Sequence, residues 1–69
     1  MASYLEQLEQ ARRHVIEARR IAEAQRERID RLATQGQDTK EAQSLLHAYE
    51  QALATFEDEF VQLSKKVNA

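Results

Sequence analysis

The sequence contains no cysteine and no proline, only one glycine, and four aromatic side chains among its 69 residues. Without cysteine, it can form neither a disulfide framework nor a thiolate metal site. Small secreted domains commonly depend on disulfides, so their absence argues against that class. Without proline, and with its only glycine at position 36, the chain has little that would interrupt a helix.

Long apolar runs are also missing, and none approaches the roughly 18 residues that a membrane span needs. The first six residues, MASYLE, lack the basic and apolar regions of a signal peptide. We therefore expect a cytoplasmic protein that does not enter a membrane. The formal net charge is −2, so the chain as a whole has no excess positive charge to attract nucleic acid.

The residues present are mostly strong helix formers, and residues 4–35 predict one long helix. Ser3 and Glu6 form an S-x-x-E capping box at its start. Gly36 lies where helices commonly end in a residue with positive φ. The apolar positions alternate steps of four and three residues, as in a heptad seam. They are Tyr4, Leu8, Ala11, Val15, Ala18, Ala22, Ile29 and Leu32, with Gln25 as the polar member.

A second helix is predicted over residues 39–67, after a turn at 36–38. Asp38 and Glu41 make a D-x-x-E capping box that would start this helix at Asp38. Its apolar stripe is wider than the first, with three positions per heptad instead of two. Such a stripe is typical of a helix that packs against more than one neighbour. Its members are Ala42, Leu45, Leu46, Tyr49, Ala52, Leu53, Phe56, Phe60, Leu63 and Val67.

So short a turn requires the two helices to run antiparallel. Small residues then face large ones, with Ala18 opposite Phe56, so that the helices can approach closely. Gln25 falls opposite Tyr49, and this polar pair could fix the register.

At two layers of the hairpin, the sequence does not decide which residue of the second helix faces the first. Leu45 or Leu46 could face Ile29, and Ala52 or Leu53 could face Ala22.

These patterns predict an all-α, antiparallel two-helix hairpin, a single domain over residues 1–69 that dimerises into a four-helix bundle. A lone hairpin cannot cover the whole stripe of the second helix, so we expect its partner to be a second copy of the chain. The function that follows is a non-enzymatic protein–protein interaction or assembly module. The residues assigned to the interface are Leu45, Leu46, Tyr49, Leu53, Phe56, Phe60 and Leu63.

Two other functions are consistent with the sequence. The first is a small RNA- or DNA-binding dimer that would contact phosphates through Arg12, Arg13, Arg19 and Arg20. Acidic residues one helical turn away, such as Glu17 before Arg20, favour a solvated surface instead. The second is an adaptor whose apolar groove serves a larger protein.

Catalytic, metal and cofactor sites are not expected. His14 and His47 lie far apart along the hairpin, and a structural zinc site usually needs four ligands. The acidic run Glu57-Asp58-Glu59 splays around its helix, with Glu59 expected to lie toward the first helix. Two helices offer no evident pocket for such carboxylates.

The middle of the chain, roughly residues 14 to 57, carries a run of features in a fixed order. The first feature is a segment with Arg26, Arg28, Ile29 and Leu32, and the turn Gly36-Gln37-Asp38-Thr39 follows. An A-x-x-L-L-x-x-Y-E segment comes next, from Ala42 to Glu50. In these features the chain resembles a group of small uncharacterised alphaproteobacterial helical-hairpin proteins. The resemblance implies a hairpin fold and brings no activity with it.

Overall fold

The computed structural model describes residues 3–68, which form two helices and, within that range, no strand. Helix α1 spans Tyr4–Thr34 and helix α2 spans Lys40–Val67. They pack antiparallel as a rod measuring 51 × 19 × 14 Å. The predicted all-α helical hairpin is therefore confirmed. Helix α1 ends one residue before its predicted end at residue 35, and α2 begins one residue after its predicted start at residue 39.

The two ends of α1 follow from local hydrogen bonding. The hydroxyl of Ser3 accepts a hydrogen bond from the Glu6 N–H at 3.1 Å, as the capping box requires. At the other end, the Gly36 N–H donates to the Ala33 carbonyl and the Gln37 N–H donates to the Leu32 carbonyl. Gly36 has a φ of +73°. These bonds form a Schellman motif, so the predicted helix stop at Gly36 is confirmed.

The start of α2 differs from the prediction. The carboxylate of Asp38 accepts from the Lys40 N–H at 3.0 Å, and Thr39 is the residue that precedes the helix. The expected capping box between Asp38 and Glu41 is therefore wrong. Aspartate readily bonds to the backbone two residues ahead, and this turn moves the first helical residue to Lys40.

The core lies on α1. Its buried residues are Ala11, Val15, Ala18, Ala22 and Gln25, and no residue within Lys40–Val67 is buried. Tyr4, expected in the seam, is 54% exposed because it lies at the open end of the hairpin, beside the last turn of α2. There its ring lies 5.4 Å from the Lys66 ammonium.

The structure also decides the two open layers. Leu45 and Ala52 are exposed, whereas Leu46 and Leu53 are partly buried. Leu46 and Leu53 therefore lie in the seam. Leu46 and Ile29 line the same depression between the helices.

Gln25 has a different partner from the one expected. Its side-chain amide donates to the Ala42 carbonyl at 2.8 Å, and the proposed pairing with Tyr49 is wrong. A helix carbonyl has two lone pairs, so the one on Ala42 can accept this bond as well as a bond within its helix.

Candidate interaction surfaces

The residues suited to chemistry are scattered over the hairpin. Within residues 3–68, no three histidine or acidic side chains lie close enough together to hold one metal ion. The His14 ring packs against the Phe56 ring, with centroids 5.0 Å apart. His47 Nε2 lies 3.1 Å from the side-chain amide of Gln51, one turn further along α2. Each histidine thus has an ordinary structural neighbour.

In the part of the chain that the structure describes, no helix is long and apolar enough to cross a membrane.

Ion pairs join the two helices along one side of the seam. Arg26 Nη2 lies 3.1 Å from Glu50 Oε2, and Arg19 Nη2 lies 3.0 Å from Glu57 Oε2. We call this side the ion-pair flank. Arg26 also meets Glu23 at 3.2 Å. The hydrogen bond to Glu50, supported by the one to Glu23, raises the pKa of Arg26 above its ordinary value.

The spacing of the ion-pair flank is regular, and it breaks at one place. From Arg26–Glu50 to Arg19–Glu57, the arginine moves seven residues back along α1 and the glutamate seven residues forward along α2. The next step pairs Arg12 with Ser64. The Ser64 hydroxyl donates to the Phe60 carbonyl in its own helix at 2.9 Å. Arg12 therefore stands at the third position of the series without a carboxylate opposite.

The four arginines considered for nucleic-acid contact divide into two pairs. Arg19 pairs with Glu57, and Arg20 bonds to Glu17 through its Nε at 3.2 Å. The hydrogen bond from Arg20 lowers the pKa of the Glu17 carboxyl below its ordinary value, and the same bond raises the pKa of Arg20.

Arg12 and Arg13 are exposed, and neither has an ion pair within residues 3–68. Of the four arginines predicted to contact nucleic acid, only these two therefore have no ion pair within the described residues.

The acidic run on α2 contributes Glu57, not Glu59, to the contact with α1. Glu57 is partly buried and bonded to Arg19, whereas Asp58 and Glu59 are exposed. The expectation that Glu59 would lie toward α1 is wrong. The signal that could have found Glu57 is its seven-residue step from Glu50, which matches the step from Arg26 to Arg19.

The other side of the seam carries no ion pair between the helices within the described residues, and its groove is largely apolar. A shallow groove of about 200 Å³ is lined there by Ile21 and Ala18 of α1 and by Tyr49, Ala52 and Phe56 of α2, with His14 and Glu17 at its edge. Leu45 extends this surface toward the turn and is 41% exposed. We call this side the open flank.

The predicted interface residues lie along the seam and border both flanks: Tyr49 and Phe56 line the open-flank groove, whereas Leu46 and Phe60 line depressions on the ion-pair flank. Most are partly buried and none is fully buried, so each keeps some surface exposed. The partly buried ones are Leu46, Tyr49, Leu53, Phe56, Phe60 and Leu63, and Leu45 is the exposed member.

A second apolar surface was not foreseen from the sequence. Ile16 and Val61 are 53% and 47% exposed, and they lie together on a groove of about 300 Å³ at the open end of the ion-pair flank. Val15 and Phe60 line the same groove, and Arg12 stands beside it. We call it the Ile16–Val61 groove. Neither residue belongs to a heptad seam, so periodicity gave no signal that they meet.

Comparison with known proteins finds no protein-family model, no curated protein and no solved structure that matches this chain.

Proposed function

We propose that this chain is a non-enzymatic interaction and assembly module, which self-associates through the open flank and the wide apolar face of α2. Two hairpins would form a four-helix bundle. We propose the cytoplasm as its location. The observation that carries the proposal is the incomplete core: within Lys40–Val67 the apolar positions are at most partly buried.

The exposed area gives the size of the deficit. The chain exposes 5443 Å² at a mass of 8.0 kDa, about 1,000 Å² more than the roughly 4,450 Å² typical of a compact monomer of that mass. A standard protein–protein interface buries about 800 Å² on each partner. One copy docked along the rod would therefore remove an area close to the excess.

The two flanks differ in what a second copy would encounter. On the ion-pair flank, Arg19 and Arg26 lie across the groove between the helices and hold their charges in water. Covering these groups would cost desolvation free energy. On the open flank, Ile21, Ala52 and Phe56 present apolar surface, whose burial is favourable at about 25 cal/mol per Å². Self-association through the open flank is therefore favoured.

The test is solution mass, measured by sedimentation equilibrium over a range of concentrations, for the wild type and two variants. A wild-type mass near twice 8.0 kDa is expected. Leu45→Glu places a carboxylate on the open flank and should weaken the dimer by at least about 2 kcal/mol, or roughly 30-fold. Helicity should persist because Leu45 is already 41% exposed in the single hairpin.

The matched control is Leu5→Glu, which makes the same change at a residue of α1 that is 58% exposed and lies off the open flank. Its mass should equal that of the wild type. A monomeric wild type would refute self-association and direct attention to an adaptor that offers its groove to a larger protein. A dimer that loses affinity equally in both variants would show that the copies meet elsewhere.

A further inference from the structure

Two independent features of the surface meet at the Ile16–Val61 groove: the interhelical ion pairs stop, and apolar side chains are exposed. The series of interhelical ion pairs ends there, because Ser64 stands where the spacing would put a third glutamate. At the same level, Ile16 and Val61 expose about half of their surface to water. Arg12, which has no carboxylate partner among residues 3–68, stands at the rim of the groove.

We propose that this groove docks an acidic amphipathic helix from another protein, and that a carboxylate of that helix completes the ion-pair series at Arg12. The apolar residues of the partner would cover Ile16 and Val61. This contact is separate from self-association through the open flank, because the two surfaces lie on opposite sides of the seam.

Charge decides the chemistry of the occupant. The rim carries Arg12, with Arg13 one residue further along α1, and no ion pair within the described residues offsets either of them. The seven-residue spacing of the arginines matches the flanking positions of paired helices, where glutamate is the usual partner. A helix with apolar residues on one face and glutamates beside them satisfies both the groove and its rim.

A nucleic acid fits this place less well. Its phosphates would meet only two uncompensated arginines, because Arg19 and Arg20 are held by Glu57 and Glu17. The apolar floor formed by Val15 and Phe60 would gain nothing from a phosphate.

The experiment measures the binding of labelled probes by fluorescence anisotropy at low salt. One probe is a synthetic amphipathic helical peptide with leucine on its apolar face and glutamate on its flanks. The second has lysine in place of every glutamate, and the third is an RNA stem–loop. We expect the wild type to bind the glutamate peptide at least about fivefold more tightly than the lysine peptide.

The discriminating variant is Ser64→Glu, which supplies the missing carboxylate from within the chain. It should pair with Arg12 and weaken binding of the glutamate peptide by roughly two- to fivefold, the range of one exposed ion pair. The control is Ser44→Glu, which makes the same change at an exposed position near the turn. Helicity of both variants should match the wild type, and Ser44→Glu should leave binding unchanged.

The proposal is overturned if the two peptides bind equally, if neither binds, or if Ser64→Glu and Ser44→Glu have the same effect. Binding of the RNA alone would assign the site to nucleic acid. If the Val61→Glu variant is monomeric while the Leu45→Glu variant remains a dimer, the groove is the site at which a second copy of the chain binds. Because peptide binding and solution mass are separate readouts, loss of one does not decide the other.

Discussion

Ala22 has no exposed surface and is the most deeply buried of the described residues. Ala22→Leu adds three carbon atoms where the packing leaves no room for them. The helices must move apart or the new side chain must take a strained rotamer, at a cost of about 1–3 kcal/mol. In a domain of this size, each kcal/mol corresponds to a shift in Tm of about 4–8 °C.

Ala24→Leu is the matched control, since residue 24 belongs to the same helix and is exposed. Alanine and leucine have similar helix propensities, so this change should alter stability by less than about 0.5 kcal/mol. Urea and thermal unfolding followed by far-UV circular dichroism would measure both, with solution mass checked in parallel. If Ala22→Leu loses no more stability than Ala24→Leu, the argument that small residues on α1 permit close packing is refuted.

Two further changes test the turn and the surface electrostatics. Gly36→Ala should lower the free energy of unfolding in urea by about 1 kcal/mol, because an L residue resists the positive φ at this position. The cost comes from the backbone alone, since an added Cβ would meet no atom within 4 Å. No loss of stability would show that the turn can form without positive φ. The lowered pKa of Glu17 contributes stability that is present above its unfolded pKa and is lost as pH falls through its folded pKa. Urea midpoints between about pH 5 and pH 3 should therefore fall more for the wild type than for Glu17→Gln, and parallel curves would contradict the assignment.

Much of the fold could be predicted because local rules and periodicity agree. Ser3 caps α1 and Gly36 ends it, each for a reason contained in a few neighbouring residues. The heptad spacing placed Ala11, Val15 and Ala18 in the core, where the structure buries them. The start of α2 was harder, because Asp38 can serve either as a helix cap or in a turn, and the two differ little in free energy.

The surfaces were less predictable because they depend on how far one helix is rotated and shifted relative to the other. A shift of less than one turn decides whether Leu45 or Leu46 enters the seam, and the sequence carries both. The meeting of Ile16 with Val61 depends on the same rotation. That Glu57 meets α1 in place of Glu59 follows from the seven-residue step between Glu50 and Glu57, which matches the step between Arg26 and Arg19.

The placement of both interhelical ion pairs on a single flank has a consequence for the response to salt. At an ionic strength of 1 M the screening length is about 3 Å, so the attraction between exposed charges is largely lost. Burial of apolar surface is undiminished under those conditions, and sulfate or phosphate strengthens it. High salt should therefore affect the two surfaces differently: it would weaken the binding of an acidic helix at Arg12 and leave an assembly through Ile21 and Phe56 intact.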